Sequence, residues 1–358
     1  MAAPEHTLRP PVRLAAGDAD PALRLGALLV AALALALLAA TSLGAVKVSV
    51  GDWGQAFAAE RSGSAQVLWE LRLPRALLAA AVGAALGVAG ALSQGLFRNP
   101  LADPGLLGVT SGAVCAVALV LTVFAAAADG VPADWRPWVL PLAAFAGALG
   151  VVALLHQVAR WLTSGSVAGL LLTGLALNAL TMAVVGLCTY IATDEQLRSL
   201  SFWTLGSLAG ATWAVAGVLL AAVALALWQG RRLAAALNAL ALGEAAAAHV
   251  GVDVARLRGV LIVAIALLSA LAVAWCGLIG FIGLMAPHLV RGAAGADQRL
   301  VLPLAALAGA LLLLVADTAA RLVAIPAEVP VGILTALIGA PAFLLLLRGV
   351  ARQQGGQA

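Results

Sequence analysis

Residues 76–97 read ALLAAAVGAALGVAGALSQGLF. No position in this run is charged, and before Ser93 and Gln94 none carries a side-chain hydrogen-bonding group. Alanine and leucine are strong helix formers. A strand would favour β-branched and aromatic residues, and here only Val82, Val88 and the terminal Phe97 qualify. A helix needs about 20 apolar residues to cross the hydrocarbon core of a bilayer, and this run is long enough. Gly83 and Gly87 interrupt it four apart, as do Gly108/Gly112 and Gly206/Gly210 further along, the spacing that lets membrane helices pack closely within one subunit or along a dimer seam. An outer-membrane barrel would alternate apolar and polar positions, and the run does not.

Working outward, the same ruler predicts an all-α polytopic membrane protein with about ten spans. They run roughly Leu23–Val46, Ala76–Phe97, Leu106–Ala127, Trp138–Leu162, Val167–Ala192, Ala211–Trp228, Gly259–Cys276, Ile279–Val290, Leu300–Leu322 and Val329–Leu347. Gly277, Gly280 and Gly283 divide one long apolar stretch into the seventh and eighth spans. Residues 1–22 read as a Pro- and charge-rich cytoplasmic tail, residues 23–348 as the membrane domain and residues 349–358 as a second cytoplasmic tail. The first apolar run starts too late, and without a convincing cleavage site, for a signal peptide.

Composition supports this reading. Of 358 residues, 63% are hydrophobic and 10% charged, and the mean hydropathy is +1.07. Soluble domains carry about 25% charge. With both termini inside, thirteen of the twenty Lys and Arg residues fall on inner loops, the positive-inside pattern of a cytoplasmic membrane protein. The net charge of +4 therefore reflects orientation and headgroup contact with membrane lipid, and the dispersed arginines form no nucleic-acid stripe. Trp203, Trp213 and Trp228 fall near expected span ends, as interfacial anchors do. Cys115, Cys188 and Cys276 lie far apart in apolar runs and suit packing rather than a metal or disulfide framework.

Several chemistries are excluded. The single lysine, Lys47, precedes Val48, so no phosphate-binding loop ending in Lys-Ser/Thr exists. An ATP-driven transporter built on this chain would draw ATP and Mg from a separate subunit, with no cofactor of its own. An ion-driven carrier keeps carboxylates inside the membrane, yet the acids here cluster in loops and near span ends. The exception, Asp317, stands four residues before Arg321, the spacing of a helix ion pair, and reads as half of a structural pair near the outer surface. His6, His156, His249 and His288 form no catalytic or metal-binding constellation. His288 suits a hydrogen-bonded packing role better than contact with a passing chelate.

Three stretches carry a family likeness. The first is Leu71-Arg72-Leu73-Pro74-Arg75, followed after the 76–97 run by Arg98-Asn99-Pro100-Leu101-Ala102-Asp103-Pro104-Gly105. The second is Ala241-Leu242-Gly243-Glu244, with Gly251 seven positions after the glutamate. The third runs from Gly280-Phe281-Ile282-Gly283-Leu284-Met285-Ala286-Pro287-His288 to Arg291, then through Asp317 and Arg321 to Glu328-Val329-Pro330-Val331-Gly332. In this order, from about Leu23 to Arg348, the chain resembles the FecCD permeases, which import ferric siderophores, haem and cobalamin.

That resemblance implies the type II ABC importer permease fold. It implies a homodimer with a central pathway, two ATPase subunits below and one periplasmic binding protein above, in the bacterial inner membrane. In the family's cobalamin permease, arginines matching Arg72, Arg75 and Arg321 meet carboxylates of the binding protein. Pro74 suits the first turn of the second span, which makes Arg72 and Arg75 outward-facing cations; contact with lipid headgroups is the other reading of their position.

Asn99, Leu101 and Val167 match cytoplasmic-gate positions, although the cobalamin permease has Thr where this chain has Val167. Residues 240–251, with Leu242, Gly243, Glu244, Ala245, Ala248 and Gly251, match the segment that couples to the ATPase. Gln196–Leu208 looks most like the haem branch, with a ferric siderophore or cobalamin as the alternative cargo. An ion-coupled secondary transporter and a non-transporting membrane scaffold are the readings from other classes.

Overall fold

A computed structural model describes residues 21–355 apart from 59, 164, 165 and 326. The chain opens with α1 (Pro21–Ser42), the short α2 (Val50–Trp53) and α3 (Gly63–Gln66), and α4 (Leu73–Phe97). Then come α5 (Val109–Leu121), α6 (Ala125–Asp129), α7 (Arg136–Thr163), α8 (Val167–Ile191), α9 (Asp194–Leu205) and α10 (Trp213–Ala241). The chain continues with α11 (Glu244–His249), α12 (Val254–Cys276), α13 (Ile282–Ala294), α14 (Gln298–Val323) and α15 (Val331–Gly355). Each of the ten expected spans coincides with a helix, and seven of these are long and apolar enough to cross a membrane. The expected N-terminal tail lies almost entirely outside the described residues.

The helix containing residues 76–97 is the hub. It packs on α14, α10, α12 and α13, and 89% of its most apolar window is buried. Glycine makes this possible. A Cβ at Gly83 would overlap the Gly309 carbonyl, one at Gly87 the Ala305 carbonyl, and one at Gly90 the Gly283 carbonyl. The small residues therefore serve packing within the subunit, backbone against backbone. Peripheral α1 is the opposite case: only 11% of its window is buried, and Leu23, Leu28 and Leu35 project outward to where acyl chains replace protein.

Four expectations need correction. Pro74 does not begin its helix: residues 63–97 are continuous, and a π-helical stretch, Val67–Arg72, leads into it. The wider π turn accommodates a residue that cannot donate to the ladder and whose ring crowds the preceding turn. The sixth span runs on to Ala241, so Trp228 sits in mid-helix, where Arg232 stacks on it at 3.8 Å. The third span stops at Leu121, and α6 follows after a break. The connection expected after residue 192 contains α9, whose first turn Thr193 and Gln196 cap reciprocally.

α4 and α14 run antiparallel, which defines two ends. Arg75 meets Asp317 at one; at the other, Gly95 packs beside Gln298 and Gly243 beside Arg98. These are called the Arg75 end and the Glu244 end.

Candidate functional site

Two cavities adjoin along one side of the hub. One, of about 500 Å³, is lined by Asp103, Pro104, Thr204, Ser269, Gly280 and Gly283, among others. The second, of about 560 Å³, is lined by Ser111, Asn178, Met182, Leu197, Leu200 and Ser201, among others. Both include Gly105, Thr110, Thr204 and Leu278, so they share a wall. Most of that wall is apolar, with hydroxyls and one carboxylate set into it, the composition of a pocket for a large apolar ligand with a few orienting groups. Ser269 is 3% exposed, and its hydroxyl has no partner. Sequence reading had assigned no role to Asp103, Thr110 or Ser269, although Asp103 stood in a quoted family motif; Thr204 lay in the Gln196–Leu208 stretch that resembles the haem branch.

Backbone geometry shapes this wall. Gly206 and Gly277 both have positive φ, 74° and 67°. A Cβ at Gly277 would overlap the Trp203 carbonyl, and one at Gly332 the Leu205 carbonyl. The Ser207 N–H donates to the Cys276 carbonyl at 2.8 Å. The end of α9 is thus clamped to the turn between α12 and α13. Phe281, at φ 68°, completes that turn in a left-handed conformation rare for a bulky residue. His288, on α13, has the Pro100 backbone carbonyl as acceptor for its ring N–H, in keeping with a packing role.

At the Arg75 end the three expected arginines do come together, but none is a free outward cation. Arg72 is 7% exposed and donates to the carbonyls of Thr41, Ser42 and Val46 at 3.1, 3.1 and 2.6 Å. The last turn of α1 leaves carbonyls without intrahelical partners, and a cation at a helix C-terminus is favourable. Arg321 Nη2 donates to the Ala40 carbonyl of the same turn at 2.9 Å. Its Nε lies 3.3 Å from Asp317 Oδ2, a charge contact without hydrogen-bond alignment.

The stronger partner of Asp317 is Arg75, 242 positions away. Arg75 Nε donates to both carboxylate oxygens at 3.2 and 3.1 Å, and Nη2 to Oδ1 at 2.9 Å. Arg75 Nη1 reaches Glu328 Oε2 at 2.7 Å. Asp317 is fully buried.

The sequence pattern of the FecCD transport family matches residues 31–349. The chain belongs to that family. It is 42% identical over 358 aligned residues, covering 95% of this chain and 99% of the relative, to the hemin transport system permease of Yersinia pestis. It is 44% identical over 302 residues, covering 83% and 88%, to the vitamin B12 import system permease of Vibrio cholerae. A solved inward-facing ABC transporter, classed there as metal-chelate type, superposes with a TM-score of 0.77 at 34% identity, covering 92% of this chain and 98% of the other. This FecCD protein is accordingly a multi-pass permease of an ABC importer.

The remaining motif residues of this FecCD permease lie towards the Glu244 end. Asn99 accepts the Leu101 N–H at 2.9 Å in the turn that follows α4. Arg98 enters that turn in a left-handed conformation, φ 49°. Val167 opens α8 behind Ser166, whose hydroxyl accepts the Gly169 N–H at 3.1 Å.

The 240–251 segment is divided: Leu240 and Ala241 end α10, and α11 starts at Glu244. Gly243 and Gly251 flank α11 with φ of 121° and 89°, which favours glycine at both places. Ala247 is buried, while Leu242 and Val250 are 82% and 71% exposed. Glu244 occupies the first turn, where the helix dipole favours an acid, and pairs with Arg258 at 2.7 Å. A short helix carrying exposed alanines between two projecting apolar side chains is a shape suited to insertion into a groove.

Proposed function

We propose that this permease carries haem into the cytoplasm across the inner membrane, as one of two copies around a central pathway, driven by two separate ATPase subunits. A ferric siderophore, or less readily cobalamin, is the alternative cargo. The observation that carries the reading is the pair of adjoining cavities walled by α9. The stretch that resembles the haem branch, Gln196–Leu208, supplies Leu197, Leu200, Ser201, Thr204 and Leu205 to them. A flat apolar ligand with polar edges suits such walls. The full-length similarity to a hemin permease supports the same cargo.

In this proposal the Arg75 end faces the periplasm and receives a binding protein, and the Glu244 end faces the ATPases. Arg75 and Arg321 are the docking cations, and Arg72 frames them by holding α1. The turn carrying Asn99 and Leu101, together with Val167, forms the cytoplasmic gate. The α11 segment, with Leu242, Gly243, Glu244, Ala245, Ala248 and Gly251, transmits ATPase motion. Both termini are cytoplasmic.

Reconstitution tests the whole. Proteoliposomes holding the permease and its ATPase are offered haem, a ferric siderophore or cobalamin, each on its cognate binding protein. ATP-dependent haem uptake is the expected result. Uptake of only another cargo overturns haem; uptake driven by an ion gradient without the ATPase overturns the energy source.

A further inference from the structure

Arg75 divides its donors unequally. Nε and Nη2 serve buried Asp317, while Nη1 serves Glu328, whose side chain is 47% exposed. Glu328 lies in the connection between α14 and α15. Its backbone neighbour is pinned, since the Val329 N–H donates to the Ala320 carbonyl at 3.2 Å. The carboxylate can therefore leave Arg75 by side-chain rotation alone. An exposed ion pair contributes about 0–1 kcal/mol, so Glu328 holds its seat weakly. Arg75 would not be stranded, because Asp317 still accepts from its Nε and Nη2.

We infer that Glu328 is an internal stand-in for a carboxylate of the docking partner: it occupies Nη1 of Arg75 when the partner is absent and is displaced when the partner arrives. The partner is thereby specified as a protein surface presenting an acidic side chain at this end. The inference rests on the docking reading of Arg75 given above. Its functional sense is selectivity. A single stray anion gains little by exchanging with Glu328, whereas a surface that engages Arg75 and Arg321 together recovers the exchange and more.

The test is the rate and affinity with which the cognate, cargo-free binding protein associates with detergent-solubilised permease, read across a salt series. Glu328→Gln keeps the side chain's size and removes the competitor. Affinity should rise by about three- to fivefold, the upper part of the range for one exposed ion pair. Glu70→Gln is the control. Glu70 is an exposed acid of the same continuous helix that pairs with Arg61 at 3.4 Å, and its loss removes one negative charge without touching Arg75.

An equal gain in the Glu70 and Glu328 variants would show a general field effect and overturn the stand-in. An unchanged or weaker affinity in the Glu328 variant overturns it as well, provided that wild-type association still falls with salt. If wild-type association is indifferent to salt, and both variants match it, the docking reading itself has failed.

Discussion

The two ends of the bundle each bury arginine, and they treat it differently. At the Arg75 end, three guanidinium groups meet two carboxylates and the terminal carbonyls of α1. At the Glu244 end, Arg291 of α13 has the Gln94 amide oxygen as partner, 3.2 Å from Nε, and its buried Nη2 has none. Among the described residues, no carboxylate lies within ion-pair distance of it. Gln94 is held in turn by donating to the Leu284 carbonyl at 3.2 Å. A desolvated charge without a counter-charge is expensive, and losing one member of a buried pair is worse than losing a lone cation. At the Arg75 end the buried Asp317 matches the cations packed around it. The Glu244 end tolerates an unmatched charge beside the turn that carries Asn99.

The largest expected effect breaks the matched end. Asp317→Ala leaves Arg75 and Arg321, 12% and 10% exposed, without the carboxylate between them. The expected destabilisation is about 3–5 kcal/mol, read as a lowered midpoint in thermal unfolding of the solubilised protein. A midpoint unchanged from wild type would mean that Glu328 for Arg75 and the Ala40 carbonyl for Arg321 are partners enough.

Much of this architecture was legible in the sequence, and the misses have physical causes. Uninterrupted apolar runs located ten helices because a bilayer leaves the backbone few other solutions. α9 escaped because its first turn, Asp194-Glu195, is too polar for a span, although Thr193 and Gln196 already stood at capping-box spacing. Asp317 was seen to need a cation, and the helical spacing pointed to Arg321, which does touch it. The better partner, Arg75, is brought in by the antiparallel packing of α4 on α14, which no local spacing encodes. Arg72 was expected to face outward because its acceptors are backbone carbonyls, and these carry no sequence signal. The cavity walls were unreadable for the same reason: Thr110, Thr204 and Ser269 meet only in the fold.

A smaller effect sharpens the contrast between the ends. Arg75→Met should cost about 3 kcal/mol or more, since Asp317 stays buried with only the poorly aligned Arg321. Arg291→Met removes a charge that has no counter-charge. That relief is offset by about 1–3 kcal/mol for leaving the Gln94 oxygen unsatisfied, so the net change should fall within about 1 kcal/mol of zero. Parallel thermal unfolding of the two variants measures the difference. Equal losses would show that Arg291 has a counter-charge outside this chain, such as a lipid phosphate.

The smallest effect belongs to the link between α1 and α4 at the Arg75 end, and it appears only in acid. Asp52 accepts the Ser49 N–H at 2.7 Å and the hydroxyls of Ser49, Ser62 and Ser64, each at 2.9 Å. The Ser49 N–H first, then these hydroxyls, outweigh the cost of desolvation and hold its carboxyl down to about 2, from an ordinary 3.8. Because the folded value lies below the unfolded one, the link's stabilisation is fully present above about pH 4 and fades as pH falls towards 2. Asp52→Asn removes the titrating group and should make the link equally open at every pH in that window. Proteolysis of residues 43–66 between pH 5 and 2.5, with an acid-active protease, reads this out. Cleavage of the wild type should accelerate as pH falls, relative to the variant at the same pH. Parallel pH profiles would mean that the serines hold the link without the carboxylate's charge.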